Sequence, residues 1–459
     1  MTDIRIDAQL LQRYDQPGPR YTSYPTAVEF HEDFALSDYA DRLRILGTSQ
    51  CVSLYIHLPF CEQRCSFCGC NVVVTRKRDV AVRYMTYLER EMELVQAQLK
   101  GNASVLQYHW GGGTPTYFTP GQLEKFHNKV QRYFHILPDA ERAIEVDPRV
   151  TTREHVDLLA DLGFNRLSMG IQDFTPEVQS AIHRNQDEKS TRALYAHCRE
   201  KGFTAINFDL IYGLPGQTLA GFERNLASVL LMRPDRVALY SYAHVPWIKG
   251  HQKRIDPSLL PSSETKFELF VRAVRAFHNS GYRQIGMDHF ALPGDELSRA
   301  LYQHQLHRNF MGYTVHRTPN LIGLGLSAIG EVYGAYTQNA KKLNTYYRAL
   351  DAGRLPVEKG YVLNRDDRVR RHVITTLMCN GYLCPSVVNR SFNIRFGEYF
   401  ARELAELEHG AVTDGLLEIE PDALRVTPLG RIFIRNICMV FDRYLREKKR
   451  EQPVFSRTV

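Results

Sequence analysis

Apolar and polar positions alternate in blocks along the middle of the chain. Val52–Leu58 (VSLYIHL) is β-branched and aromatic, which predicts a strand. An amphipathic stretch at helical spacing follows over Val80–Leu99. The same rhythm recurs with Leu106–Trp110 before Gly121–Phe134, Ala143–Asp147 before Thr152–Leu162, and Arg166–Gln172 before helical text running to Glu200. Ala205–Gly213 then precedes Leu219–Leu231, and Arg236–Tyr242 precedes Glu264–Ser280. Six such alternations predict an α/β fold, a parallel sheet with crossover helices, curled or flat. Chemistry in such sheets gathers at the carboxyl ends of the strands. Polar residues close the predicted strands there: Glu145 and Asp147 the third, Gln172 the fourth, Asp209 the fifth, with His244 just past the sixth. They predict one shared site.

The flanks read differently. Residues 1–50 carry little regular pattern, and PGPRYTSYPT (Pro17–Thr26), dense in Pro, Gly and Tyr, reads as a segment that lies over another surface. After Arg365 the text is mostly helical, with a hairpin over Leu416–Gly430 and a helix over Arg431–Leu445. The expected organisation is an extension over 1–50 covering the active site, a catalytic domain over 51–364 and a small, mainly helical domain over 365–459. Helices with a hairpin also fit a winged-helix, DNA-binding reading. The basic tail REKKRE (Arg446–Glu451) contains two acids, however, and reads better as a solvated helix end.

Composition adds little that is specific. Of 459 residues, 44% are hydrophobic and 24% charged, as in ordinary globular enzymes. No run of 18 apolar residues exists, so no membrane partner is expected. The N-terminus MTDIRIDAQLLQRYDQ lacks the apolar core of a secretory leader, so the chain is expected to be cytoplasmic. The net charge of +7 suits a polyanionic ligand, nucleic acid or small polycarboxylate.

The cysteines change the picture. Cys61, Cys65 and Cys68 stand in PFCEQRCSFCGCN at C-x3-C-x2-C spacing, just after the first strand. Three thiolates on one short loop can hold three irons of a [4Fe–4S] cluster and leave the fourth iron open to a small molecule. Zinc is the competing reading, with Cys70 as a fourth ligand, although Cys68-x-Cys70 is a tight pair for a tetrahedral ion. Cys51, Cys198, Cys379, Cys384 and Cys438 read as ordinary thiols. GGGTP (Gly111–Pro115) follows the second strand, where glycines let the backbone approach a ligand closely, or simply make a tight turn.

The cysteine motif with Phe67 before its third cysteine, followed by GGGTP, resembles the radical S-adenosylmethionine (SAM) superfamily. PRYTSYPT, YIHLPFCEQRCSFCGCN, HWGGGTPTY, IEVDPR, NRLSMGIQDF, DLIYGLPGQT, YAHVP, GMDHFA and LHRNFMGYT together resemble the oxygen-independent coproporphyrinogen III oxidases, from about Pro19 to the C-terminus. The resemblance implies a partial six-unit (β/α) barrel and one [4Fe–4S] cluster on Cys61, Cys65 and Cys68, with Cys70 outside the ligand set. It implies two molecules of SAM. The first would contact Tyr55, Gly112, Glu145 and Ile329. The second would contact Phe67, Gly113, Thr114, Gln172, Arg184, Asp209 and Ala243. Tyr55, Glu145, Cys70 and Phe310 carry over as candidate catalytic positions. Family members often have Gln after HRNF. Met311 stands there in this chain and cannot donate an amide hydrogen bond, so that role does not carry over.

The implied reaction converts two propionates of coproporphyrinogen III to vinyl groups by 5′-deoxyadenosyl radical chemistry, giving protoporphyrinogen IX in haem biosynthesis. An unidentified electron donor and acceptor are implied. A monomer is expected, with no nucleic-acid partner. Two alternatives stand beside this reading: a haem chaperone or haem-modifying enzyme of the same group, and, more distantly, a zinc-containing nucleic-acid-binding protein. Deleting residues 1–30 should abolish turnover while the cluster still forms.

Overall fold

A computed structural model describes residues 8–48, 50–448 and 454–458. The first residues of the leader reading, Met1–Asp7, and the end of the basic tail, Lys449–Glu451, lie outside the described residues. The chain packs as two compact units. One is Phe30–Ser280 with His316–Val362; the other is Met1–Glu29, Gly281–Val315 and Leu363–Val459.

The first unit is an α/β sheet. Strands β1 (Val52–Leu58), β2 (Ala103–Gly112), β3 (Phe134–Val146), β4 (Arg166–Gln172), β5 (Ala205–Tyr212) and β6 (Arg236–Ser241) lie side by side in chain order, each parallel to the next. Helices α1 (Arg78–Leu99), α2 (Pro120–Tyr133), α3 (Arg153–Asp161), α4 (Glu188–Glu200), α5 (Leu219–Met232) and α6 (Ser263–Asn279) fall after these strands. The sheet is open, as a partial barrel is. One face of the sheet is apolar and buried: Leu54, Ile56 and Leu58, on the same face of β1, are fully buried. Side-chain caps start the helices where Thr precedes them, with reciprocal boxes at Thr119/Gln122 and Thr152/His155.

Three features depart from the sequence reading. β7 (Leu321–Leu324) pairs parallel with β1 on its other side, and β8 (Ile329–Val332), β9 (Ala335–Asn339) and β10 (Val357–Val362) extend the sheet antiparallel from it. These strands are too short for a clear period. β2 runs on through Gly111 and Gly112 where a turn was the alternative, and β3 begins directly at the end of α2. Leu36–Leu46, placed in the patternless flank, is a helix with Tyr39, Leu43 and Leu46 buried. That spacing was visible, but the Pro- and Gly-rich text before it masked it.

A buried carboxylate ties α1 to the added strands. Glu91 accepts from the Tyr346 hydroxyl at 2.5 Å, the Gly325 N–H at 2.8 Å and Asn339 Nδ2 at 2.6 Å. Burial nevertheless pushes its pKa up to about 7. Two turns earlier on the same helix face, the Tyr84 hydroxyl donates to the His57 carbonyl at 2.7 Å and accepts from the Leu326 N–H at 2.8 Å. Glu91→Ala leaves the buried Tyr346 hydroxyl and Gly325 N–H without an acceptor and takes one of two from Asn339 Nδ2. We expect a loss of about 2–5 kcal/mol in urea unfolding. A loss under about 1 kcal/mol would show that the network contributes little.

In the second unit, helix Arg365–Asn380 starts on an Asn364/Asp367 capping box and ends at Gly381 with φ +60°. The expected hairpin is present as Leu417–Ile419 and Leu424–Val426, joined by Tyr382–Leu383 into an antiparallel sheet. The single helix expected over Arg431–Leu445 is instead two, Ile434–Val440 and Arg443–Glu447. Asp442 breaks it, because its side chain turns back to cap the Tyr444 and Leu445 N–H groups at 2.9 and 3.2 Å. The Pro17–Thr26 segment belongs to this unit. Buried Arg435 donates to the carbonyls of Gly18, Pro19 and Arg457, and the Tyr21 hydroxyl donates to Asp442 at 2.9 Å. Among the described residues, no helix is long and apolar enough to cross a membrane.

Candidate active site

The cysteine loop leaves β1 at Pro59 and returns through a short parallel pairing of Phe60–Cys61 with Val73–Val74. The glycine end of β2 lies against it. The Gly113 and Thr114 N–H groups donate to the carbonyls of Leu58 and Phe60, both at 2.9 Å. Cys61 Sγ sits 3.4 Å from the Thr114 hydroxyl. The glycines are needed for this approach. A Cβ on Gly113 would lie 2.5 Å from the Pro59 carbonyl carbon, and one on Gly112, at φ +112°, would lie 2.5 Å from the His57 ring.

Cys65 is buried and faces two cations, Arg149 Nη2 at 3.5 Å and Arg184 Nη1 at 3.6 Å. Asp147 holds both, accepting from Arg149 Nη2 at 2.6 Å and Arg184 Nη1 at 2.9 Å. Burial alone would raise the Asp147 carboxyl, but the two guanidinium groups outweigh it and hold it near 2. The sequence suggests Arg184 as a fork for a ligand carboxylate. In the structure the fork is engaged by Asp147 and by the Gly170 carbonyl at 2.7 Å, while buried Nε has no partner.

The remaining thiols differ among themselves. Burial pushes Cys61 up to about 11. The hydrogen bond between Cys68 and Cys70 favours the thiolate on Cys68, down to about 6, and the thiol on Cys70. A second loop clasps the cysteine backbone: His251 Nε2 lies 2.8 Å from the Cys68 carbonyl, and Lys249 Nζ donates to the Gly69 carbonyl at 2.6 Å. Phe67 packs its ring against a core cluster that includes Ile182, Leu214 and Tyr242.

Glu145 ends β3 beside the glycines. It accepts from the Gly112 N–H at 3.0 Å and lies 3.3 Å from His109 Nε2. Burial would raise its carboxyl, yet His109 and the Gly112 N–H outweigh burial and hold it below the ordinary range. Tyr55 points from β1 to His57, with its oxygen 3.0 Å from Nδ1. His57 Nε2 faces the Asn71 carbonyl at 2.9 Å, so Nε2 carries the proton and Nδ1 accepts from Tyr55. Burial favours the neutral ring.

Asp209 lies on β5 and accepts from Ser168 at 2.9 Å and Asn207 Nδ2 at 2.8 Å. Burial pushes it up to about 7, aided by the Glu145 charge. The native state thus keeps a proton that the unfolded chain, with a carboxyl near about 3.9, has released. Linkage makes this a contribution that lowers stability as pH rises from about 4 to about 7 and then levels off. Asp209→Asn should therefore melt higher than the wild type at pH 8 and alike at pH 4. A variant that melts no higher at pH 8 would refute this.

A bulge at Ile171, where Gly170 pairs Asp209 but Gln172 pairs Leu210, brings buried Gln172 to the strand end at φ +65°. Ala243 follows β6, its carbonyl accepting from Gln252 at 3.1 Å. Ile329 opens β8, beside the strand that flanks β1. Phe310 and Met311 lie at the tip of a hairpin, His307–Asn309 with Gly312–Thr314, in the second unit. Sequence reasoning missed His57, His109, Arg149 and His251. His57 and His109 sit at apolar strand ends, where a lone histidine reads as core.

The residues fit a cluster and a sulfonium cofactor. Three thiols share one loop, and two arginines face the buried one, where they would offset the negative charge of a thiolate-bound cluster. A cavity of about 410 Å³, lined by Cys61, Thr114, Asp147, Arg149 and His183 among others, opens beside the loop and is within the range of small-molecule sites.

Comparison with known proteins agrees. Residues 55–229 match the model of the radical SAM superfamily, and residues 363–433 match that of the HemN C-terminal domain. The chain is 44% identical over 463 residues to the oxygen-independent coproporphyrinogen III oxidases of Salmonella typhimurium and Escherichia coli K12, covering 99% of each chain. It is 43% identical over 459 residues to that of Pseudomonas aeruginosa. The solved coproporphyrinogen III oxidase HemN of Escherichia coli, a radical SAM enzyme, superposes with a TM-score of 0.92 at 42% identity, over 96% of this chain and 100% of that one.

Proposed function

The chain belongs to the oxygen-independent coproporphyrinogen III oxidase family of radical SAM enzymes, and on that premise we propose how its residues divide the work. The reaction is the oxidative decarboxylation of two propionates of coproporphyrinogen III to vinyl groups in haem biosynthesis. The [4Fe–4S] cluster and SAM, when bound, supply one-electron cleavage of the cofactor's carbon–sulfur bond and the hydrogen abstraction that follows from it.

The chain supplies placement. Cys61, Cys65 and Cys68 hold the cluster, and the protonated Cys70 hydrogen-bonds Cys68 from outside the ligand set. Arg149 and Arg184, fixed by Asp147, place positive charge on the Cys65 side. Gly112 and ionised Glu145 receive the first SAM, the carboxylate accepting from its ammonium, with Tyr55 and Ile329 as walls. Gly113, Thr114, Gln172, Asp209, Ala243, Phe67 and Arg184 receive the second. Asp209, with a pKa of about 7, can accept or donate to ribose hydroxyls. His109 and the Gly112 N–H keep the Glu145 charge oriented. The supporting observation is the contact of the cysteine loop with the glycine strand end, two backbone hydrogen bonds that bring Cys61, Thr114 and Glu145 to one strand edge.

The test is anaerobic incubation of reconstituted protein with SAM, a reductant and coproporphyrinogen III. Both 5′-deoxyadenosine and the divinyl product are expected. Haem binding without a vinyl product would overturn the reading in favour of a haem-handling relative.

A further inference from the structure

The second unit contains a cationic cluster that the chemistry above leaves unused. Arg20 donates to both Asp288 oxygens at 3.0 and 2.7 Å, and Asp288 also takes His289 Nδ1 at 2.9 Å. Arg308 donates to the Arg20 carbonyl, and its guanidinium lies 5.1 Å over the Tyr313 ring. Arg308 Nε is buried without a hydrogen-bond partner. So is the hydroxyl of Tyr313, a residue only 8% exposed, which sits where a Cβ on Gly286 would be. Arg431 reaches over Gly381 into the same neighbourhood, and its side chain has no hydrogen-bond or ion-pair partner among the described residues. Burial lowers its pKa and only Tyr313 opposes that.

Asp288 is engaged by Arg20 and His289, so Arg308 and Arg431 have no carboxylate of their own, and the Tyr313 phenol and the Arg308 Nε–H are left without acceptors. Buried donors without acceptors are costly, and a native fold retains them where a ligand completes them. The missing group must be an anionic acceptor able to meet a fork of N–H groups, which describes a carboxylate. Phe310 follows Arg308 by two residues at the tip of the same hairpin.

We propose that Arg308, Arg431 and the Tyr313 hydroxyl form a subsite for one carboxylate of the porphyrinogen, with the Arg20–Asp288–His289 group as its fixed wall. The proposal rests on the reaction assigned above and names residues for its substrate.

The test is equilibrium binding of coproporphyrin III, the stable oxidised form of the substrate, to anaerobic holoenzyme. Arg431→Gln and Arg308→Gln should each weaken binding by about tenfold or more and raise KM in step. Arg431→Lys, which keeps charge but loses the fork, should recover part of the loss. Uncoupled 5′-deoxyadenosine formation without substrate should stay unchanged. The tetramethyl ester of coproporphyrin should bind the wild type weakly and the Gln variants equally weakly. Wild-type affinity for coproporphyrin in both Gln variants, with normal turnover in the wild type, would overturn the subsite. Tight Arg431-dependent binding with no divinyl product would leave the subsite standing and overturn the reaction. Should Arg431→Gln fail to fold, Arg308→Lys decides: a several-fold loss supports the subsite and an unchanged affinity refutes it.

Discussion

Cys65→Ser is expected to leave the reconstituted protein poor in iron and colourless, and to lower turnover by roughly 10³-fold or more. A serine hydroxyl does not ionise near neutrality, so the thiolate is lost where the protein has placed two cations to receive it, at 3.5 and 3.6 Å. The fold should survive, because Arg149 and Arg184 keep Asp147 as partner. Cys70→Ser gives the contrast: the cluster should still form, since that thiol stays protonated and donates to Cys68. Iron content, visible absorption and 5′-deoxyadenosine together read the outcome. A Cys65→Ser protein that still assembled a cluster and cleaved SAM would remove the cysteine from the ligand set.

Gly113→Ala is expected to be nearly as damaging through geometry alone. Its Cβ would stand 2.5 and 2.6 Å from the Pro59 carbonyl carbon and oxygen and 2.8 Å from the Phe60 nitrogen. These are backbone atoms with no rotamer to move aside, so the glycine strand must part from the cysteine loop. We expect a loss of about 2–3 kcal/mol in stability and of about a hundredfold in SAM affinity. Gly121, at the start of α2, has nothing within 4 Å of such a Cβ, and Gly121→Ala should leave SAM affinity untouched. Equal affinities in the two variants would show that the close approach does not matter for the ligand.

The sequence made the parallel core legible because β-branched and aromatic strand text alternates with text at helical spacing six times. β1 and β4 were placed to the residue, and the polar strand ends marked the site. β7 to β10 were not legible. Each is a few residues long, and the pairing of β7 with β1 joins Leu321 to Ser53 across the chain, which no local pattern encodes. The break at Asp442 was hidden for a related reason, since its side chain fits both a helix interior and a cap. At the site, the cysteines and glycines announce themselves by spacing. The part of His57 and His109 emerges once Tyr55, Asn71 and Glu145 are seen beside them, since two of these partners come from the cysteine loop and another strand.

The second unit closes only across great distances in sequence: Tyr21 meets Asp442 across 421 positions, and Gly18 meets Arg435 across 417. On the ribosome, at about 5–20 residues per second, the first tyrosines would wait about 20–80 s for their partners to emerge. Throughout that interval the α/β sheet can already be collapsing while Gly18 and Tyr21 lack their partners. A premature stop a few dozen codons from the end would therefore release both ends of the molecule at once, so that a lesion at the last exit is felt at the first residues made.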